Sequence, residues 1–309
     1  MPRDISIGKK KARILVTIPA YNEARTIGAI VQKAKNYADE VVVYDDGSVD
    51  NTYEVAKKAG ATVIRNPTNK GYGAAIKALF YIARERNADV MITLDSDSQH
   101  NPDQIPRFLE PILRDGFDIV IGSRFLNQDD KEKVPAYRRL GINTITRLIQ
   151  FGSYGNITDA QSGFRAYNKC ALFKLEPFEE GFASITELLL RAKEKNLVIK
   201  EVPVTIVYNV ENPSTMNPIL QGAEVSYSII HFISLRHPLA FYGLPGVILL
   251  LVATVLTYNT LELFDATRYL STNMILISVG TAVIGIVLLA TAAIVYTIAA
   301  LLRGVINDT

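Results

Sequence analysis

Val90-Met-Ile-Thr-Leu-Asp-Ser-Asp-Ser-Gln-His100 runs an apolar stretch straight into two acids, Asp95 and Asp97. A strand that merely ended would need one turn residue there. In an extended segment residues i and i+2 point the same way, so the two carboxylates can converge on one point. Left unpaired they would repel, and one pKa would rise. A divalent cation offsets that repulsion. Magnesium and manganese are held by one or two carboxylates, with phosphates and waters filling the remaining positions. The cluster therefore reads as a seat for a metal and a diphosphate. The alternative is a capping pair for a helix beginning after Pro102, where Asp103 already serves the first turn.

Working outward, strands and helices alternate. Ala12–Ile18 is a β-branched run expected to end at Pro19. A helix follows, with Asn22 as its expected cap and Glu23 in its first turn. Glu40–Tyr44 is the second strand, Asp50–Ala59 a helix, Ala61–Arg65 a strand and Gly73–Arg86 a long helix. Val90–Leu94 and Phe117–Ile121 are further strands. This alternation predicts an α/β fold with a mainly parallel sheet. Ligands of such sheets sit at the carboxyl ends of the strands, where the polar clusters fall.

The chain has 309 residues, 49 % of them hydrophobic, which excludes a disordered protein. Its net charge of +2 does not suggest nucleic acid. Cys170 is the single cysteine, so no internal disulfide can form. The N-terminal residues lack the apolar core of a signal peptide. Leu239–Leu261 and Asn273–Leu302 carry no charge, and each exceeds the ~20 residues that cross a bilayer. They predict a transmembrane hairpin. Arg236 and His237 before it, and Arg303 after it, place the large domain in the cytosol by the positive-inside rule.

Six short motifs stand in order: Pro19-Ala-Tyr-Asn-Glu23, Asp45-Asp-Gly-Ser-Val-Asp-Asn-Thr52, Asn69-Lys-Gly-Tyr-Gly73, Asp95-Ser-Asp-Ser-Gln-His100, Gly122-Ser-Arg124 and Gln161-Ser-Gly-Phe-Arg165. Together they resemble the family 2 glycosyltransferases, in particular the polyprenyl-phosphate (dolichyl-phosphate) hexose synthases. The likeness covers residues 12–210 and implies a GT-A catalytic domain. The chain then divides into a basic arm (1–11), the catalytic domain (12–217), an amphipathic interfacial helix (218–237) and the membrane hairpin (238–309).

The resemblance implies transfer of a hexose from a nucleotide sugar to polyprenyl phosphate at the cytosolic membrane face. Pro19, Tyr21, Glu23, Asp46, Gly71, Gly73, Asp95 and Ser96 would hold the nucleotide sugar. Asp95, Asp97 and Gln99 would bind Mg2+ or Mn2+. Arg124, Arg138, Arg165 and Ser214 would hold the acceptor phosphate, and Asp95, Asp97, Arg124 and Arg165 would form the catalytic set. His100 reads as a loop residue, Asp159 as able to orient sugar or acceptor, and Glu187 as structural. Arg138–Phe151 and Pro218–Leu235 read as helices lying in the membrane interface, or packing on the domain.

Mannosyl members carry an Arg-x-x-Gly-x-Ser-Lys element after the last strand. Here Tyr208–Pro218 retains only Ser214 of it, which leaves UDP-glucose and UDP-N-acetylglucosamine open beside GDP-mannose. A homo-oligomer stays open as well. Two other functions compete: a processive polysaccharide synthase, which would need a Gln-x-x-Arg-Trp element absent from this Trp-free chain, and a non-catalytic membrane scaffold of the same fold.

Overall fold

A computed structural model describes residues 10–127, 157–175, 183–206 and 237–307, with a few positions between them (6–7, 139, 142–143, 146, 227, 230 and 234). The chain divides into two compact units, 1–229 and 230–309.

The first unit is built on a seven-stranded sheet. In chain order its elements are β1 (Ile14–Ala20), α1 (Ile27–Ala34), β2 (Glu40–Asp45), α2 (Thr52–Lys58), β3 (Thr62–Arg65), α3 (Tyr72–Glu85) and β4 (Val90–Thr93). Then come α4 (Ile105–Leu113), β5 (Ile119–Ser123), β6 (Arg165–Asn168), α5 (Lys169–Lys174), α6 (Ala183–Glu194) and β7 (Ile199–Pro203). The strand order is β3-β2-β1-β4-β6-β5-β7. Every pairing is parallel except those of β6, which runs antiparallel to both neighbours.

The sequence explains this arrangement. All seven residues of β1 are buried, as expected of a strand covered on both faces. Ile14, Val16 and Ile18 share one apolar cluster with Ile27 and Ile30 of α1 and Phe108 of α4. On β6, Tyr167 meets Phe80 of α3 edge-on, with ring centroids 4.9 Å apart. The buried residues of α1 (Ile27, Ile30, Val31 and Ala34) follow the spacing of one helical face.

Three local readings need correction. Pro19 does not end β1 but lies within it, opposite Tyr44 of β2. It is tolerated because pairing with β4 stops at Thr17, so no ladder partner on that side asks Pro19 for an N–H. Asn22 does not cap α1; it takes a left-handed φ of 58° and bonds to the loop after β2 instead. The strand read as Phe117–Ile121 is Ile119–Ser123, two residues further on.

The second unit holds α7 (Leu244–Thr267), entered through a π-helical turn at Leu239–Gly243, and α8 (Thr272–Asn307). The segments Leu239–Thr267 and Thr272–Ile298 are long and apolar enough to cross a membrane, and most of their surface is exposed. The turn between the helices is only 268–271, because α7 continues through Glu262 and Asp265, where the uncharged run had already ended. The two helices meet through small residues. A Cβ on Gly246 would stand 3.0 Å from the Gly285 carbonyl, and one on Gly285 3.0 Å from that of Gly246. Ser278 donates to the Ala253 carbonyl and lies 2.5 Å from the Thr257 hydroxyl. Close backbone approach with polar side-chain links is how membrane helices associate.

Candidate active site

Strand order reverses at β1: β2 and β3 continue on one side, β4 lies on the other. The carboxyl ends of β1, β2 and β4 therefore open onto a crevice of the kind that binds ligands in doubly wound sheets.

Polar side chains stitch the first two loops together. The Ser48 hydroxyl accepts the Asn22 N–H (2.9 Å), Asn22 Oδ1 accepts the Val49 N–H (2.9 Å), and the Thr52 hydroxyl accepts the Glu23 N–H (2.7 Å). Asp45 is fully buried; it accepts the Ser48 N–H and sits 3.3 Å from the Arg65 guanidinium. Asp46 was expected in the nucleoside pocket. Its carboxylate instead accepts the N–H groups of Lys70 (3.0 Å) and Gly71 (2.7 Å) and the Asn66 amide (3.1 Å), so it shapes the loop that precedes α3. Two glycines are required here. Gly47 has φ +76°, and a Cβ on it would press 2.7 Å from the Thr68 backbone. Gly71 has φ +90° with open space before it. Gly73 is buried inside α3, and Tyr21 is exposed.

The acid pair follows β4, which ends at Thr93. Asp95 and Asp97 lie in a bend, with Ser98 in a left-handed conformation (φ 62°), and not in an extended run. Asp95 accepts the Tyr72 hydroxyl at 3.3 Å on its Oδ1, the Gly163 backbone lies behind it, and His100 Nδ1 stands 3.3 Å from its Oδ2 without a hydrogen bond. A Cβ at Gly163 would stand 2.5 Å from the Asp95 carboxylate, so only glycine leaves that acid its place. Asp97 accepts the Gln99 N–H at 3.0 Å. Ser96 is buried, and its carbonyl accepts the Thr26 hydroxyl at 2.7 Å, joining this loop to the one after β1.

The electrostatics record crowding of negative charge. Burial raises the Asp95 carboxyl, and burial with the neighbouring Asp95 charge raises Asp97. Glu23 is pushed up to about 7, chiefly by burial, with Asp97, Asp50 and Asp95 adding repulsion. His100 stands in the loop after β4, as read, but is buried: it is 5 % exposed, its ring tilts against Phe164 at 5.2 Å, and burial lowers its pKa to about 4. Its imidazole is therefore neutral at pH 7. Among the described residues no three acid, His or Cys side chains converge into a complete metal cage. Two hard carboxylates whose charges repel fit a cation that draws its other ligands from a diphosphate.

The arginines divide into two kinds. Arg124 follows β5, and its Nε and Nη2 each lie 2.6 Å from the Asp159 carboxylate, a two-pronged fork. Its charge is felt at Asp95, so the fork borders the acid pair. Asp159 is fully buried and holds Arg124; it does not orient a sugar directly. Arg165 needs correction as a phosphate ligand and catalytic residue. It is 1 % exposed, and Nε, Nη1 and Nη2 donate to the carbonyls of Ser162, Ile185 and Ala160. It braces the turn before β6. Glu187 is buried and pairs with Arg191 at 2.5 Å, a structural role. Arg138 and Ser214 lie outside the described residues, as do most of 138–151 and 218–235. Of the former segment, Ile142 and Thr146 are described and are buried.

Tyr72, His100 and Gly163 all stand in quoted motifs, yet their shared purpose around Asp95 shows only in three dimensions. Glu201, which supports Asp159, carries no sequence signal at all.

Residues 15–182 match the family described as glycosyl transferase family 2, and the chain belongs to that family. It is 32 % identical over 240 residues to the UDP-N-acetylglucosamine–dolichyl-phosphate N-acetylglucosaminyltransferase of Methanococcus voltae, covering 70 % of this chain and 94 % of that protein. It is 34 % identical over 204 residues to the dolichol-phosphate mannosyltransferase of Pyrococcus furiosus, covering 62 % and 56 %. Among solved structures, glucosyl-3-phosphoglycerate synthase of Mycobacterium tuberculosis, crystallised with Mn2+, UDP and product, superposes with a TM-score of 0.56 at 22 % identity over 71 % of this chain and 79 % of that one. The domain has the GT-A fold, and the protein is a glycosyltransferase.

Proposed function

We propose that this enzyme moves a hexose from a nucleoside-diphosphate sugar to a polyprenyl phosphate at the cytosolic face of a membrane. One observation carries the reading. An acid pair suited to a metal-bound diphosphate stands near Arg124, a cation that Asp159 holds in place, in a chain with two apolar helices of membrane-spanning length. The names of the Methanococcus and Pyrococcus relatives support a dolichyl-phosphate acceptor.

Asp95 and Asp97, with Gln99, would hold Mg2+ or Mn2+, whose charge stabilises the departing nucleoside diphosphate. The Mycobacterium structure with Mn2+ and UDP supports that assignment. The Tyr72 hydroxyl and the Gly163 backbone keep Asp95 in one orientation, so little reorganisation is needed as the bond breaks. Glu23, Tyr21 and the Gly71 turn line the nucleotide side. Arg124 meets the acceptor phosphate, Asp159 already holding the opposite edge of its guanidinium.

A phosphate monoester is anionic at pH 7, so it needs positioning and no general base. One of its oxygens attacks the anomeric carbon. The bond from that carbon to the diphosphate oxygen breaks, and its electron pair leaves with the nucleotide. A single displacement inverts the anomeric centre, so an α-linked donor gives a β-linked lipid. Arg236, His237 and Arg303 flank the spans and put the catalytic domain in the cytosol. Supplying membranes with labelled GDP-mannose, UDP-glucose or UDP-N-acetylglucosamine, then extracting the lipid, tests the reading and names the donor. No label in the lipid from any of the three would refute it.

A further inference from the structure

We propose that Glu201 is a positioning residue for the acceptor: it sets the turn from which Asp159 aims Arg124. The inference rests on the lipid-phosphate reading above. Glu201 lies on β7, the edge strand, paired with Ile121 of β5, the strand that leads into Arg124. Its carboxylate accepts four contacts, all from one turn. The Thr158 N–H lies 3.0 Å from Oε1 and 2.9 Å from Oε2, the Thr158 hydroxyl 2.9 Å from Oε2, and the Asp159 N–H 2.9 Å from Oε1. Ser123, one residue before Arg124, closes the figure at 2.6 Å from the Thr158 hydroxyl.

The connection runs in one direction. Asp159 is fully buried, so its carboxylate points where its backbone turn points. That carboxylate takes the Arg124 Nε and Nη2 at 2.6 Å and also the Arg124 N–H at 3.1 Å. Arginine has a long, torsionally free side chain, and a two-pronged contact at a fixed origin removes that freedom before the ligand arrives. A glutamate placed only for stability on an edge strand would reach water or a surface cation. This one directs both oxygens to the two N–H groups that fix Asp159. Gln at 201 keeps the volume but turns one acceptor oxygen into an NH2 that faces donors, so part of the turn loses its partner.

The test uses the full chain in membranes, with polyprenyl phosphate as acceptor and the nucleotide sugar used by the parent enzyme. Glu201→Gln should raise the KM for polyprenyl phosphate by about tenfold or more, since small misplacement of a binding group is costly. Nucleotide affinity in the presence of Mg2+ should stay within about twofold, because the acid pair and the β1–β2 loops are untouched. Thr158→Val removes the hydroxyl's contacts to Glu201 and Ser123 but keeps the Thr158 and Asp159 N–H bonds, and should give a smaller rise in the same KM. It carries the test if Glu201→Gln does not fold. An unchanged acceptor KM in the variant that folds, or nucleotide affinity falling in step with it, would overturn the inference. If the parent enzyme gives no lipid product, the functional reading fails first and this inference falls with it. If the parent transfers sugar and both variants keep its KM, the inference alone fails.

Discussion

The two halves of the sheet treat charge in opposite ways. On the parallel side, β1 and β4 deliver Glu23, Asp95 and Asp97 into one crevice, where burial raises all three and neighbouring acids add repulsion at Glu23 and Asp97. On the mixed side, β5, β6 and β7 deliver groups that are already matched: Arg124 with Asp159, Arg165 with three carbonyls, Glu201 with a turn. The first half crowds negative charge that, on the proposed function, a cation and its diphosphate would relieve. The second half is finished before the ligand arrives. One half would make affinity depend on a metal; the other holds geometry.

The comparison breaks most sharply at Asp97. Asp97→Asn should lower kcat by 10²–10³, about 3–4 kcal/mol for an electrostatic contact of this kind, with complete chelation of the parent enzyme abolishing transfer. Arg124→Ala attacks the other half. It strands the buried Asp159 carboxylate, so a cost of about 3–5 kcal/mol in stability should accompany lost acceptor use. A melting curve beside the transfer assay separates the two effects, and Arg124→Ala with Asp159→Ala should recover part of the stability but none of the activity.

Gly163→Ala tests the seam between the halves, since its methyl would enter the place of the Asp95 carboxylate. Transfer should fall by about 10–100-fold. Metal affinity, titrated through activity, should fall with it.

Glu23 gives a pH signature. Its folded pKa of about 7 lies above the usual glutamate value of 4.5, so the metal-free native state holds this proton more tightly than the unfolded chain does. The stability contributed by this group is present below pH 4.5, declines as pH rises through the window from 4.5 to 7, and is gone above it. Glu23→Gln should therefore melt higher than the parent at pH 8 and equally at pH 4, by on the order of 1 kcal/mol after screening. Added Mg2+ should narrow the gap at pH 8. The smallest effect belongs to the membrane hairpin, where Ser278→Val removes the links to Thr257 and Ala253. It should weaken helix association by about 0.6 kcal/mol in a detergent-unfolding titration.

The same contrast explains what could be read from the sequence. The parallel half was legible because each strand is local, apolar and followed at once by its polar loop. Both long apolar helices of the second unit were legible from uncharged length alone. The mixed half was not. β6 is four residues, Arg165–Asn168, and its antiparallel place between β4 and β5 is set by pairings far apart in sequence. Arg165 looked like a phosphate ligand because an arginine in a Gly-Phe-Arg motif carries no mark of burial. The burial of His100 in its loop was not legible because its partner, Phe164, is 64 positions away. The loop contacts of Asp46 were not legible because the backbone N–H groups it binds leave no trace in side-chain identity.

The most direct test is the enzyme in membranes with polyprenyl phosphate, the preferred nucleotide sugar and Mg2+ or Mn2+, with the anomeric configuration of the lipid product read by NMR. A metal-dependent β-linked polyprenyl phosphate sugar from an α-linked donor is the predicted result. An α-linked lipid, a sugar trapped on the protein, or transfer that survives complete chelation would contradict it.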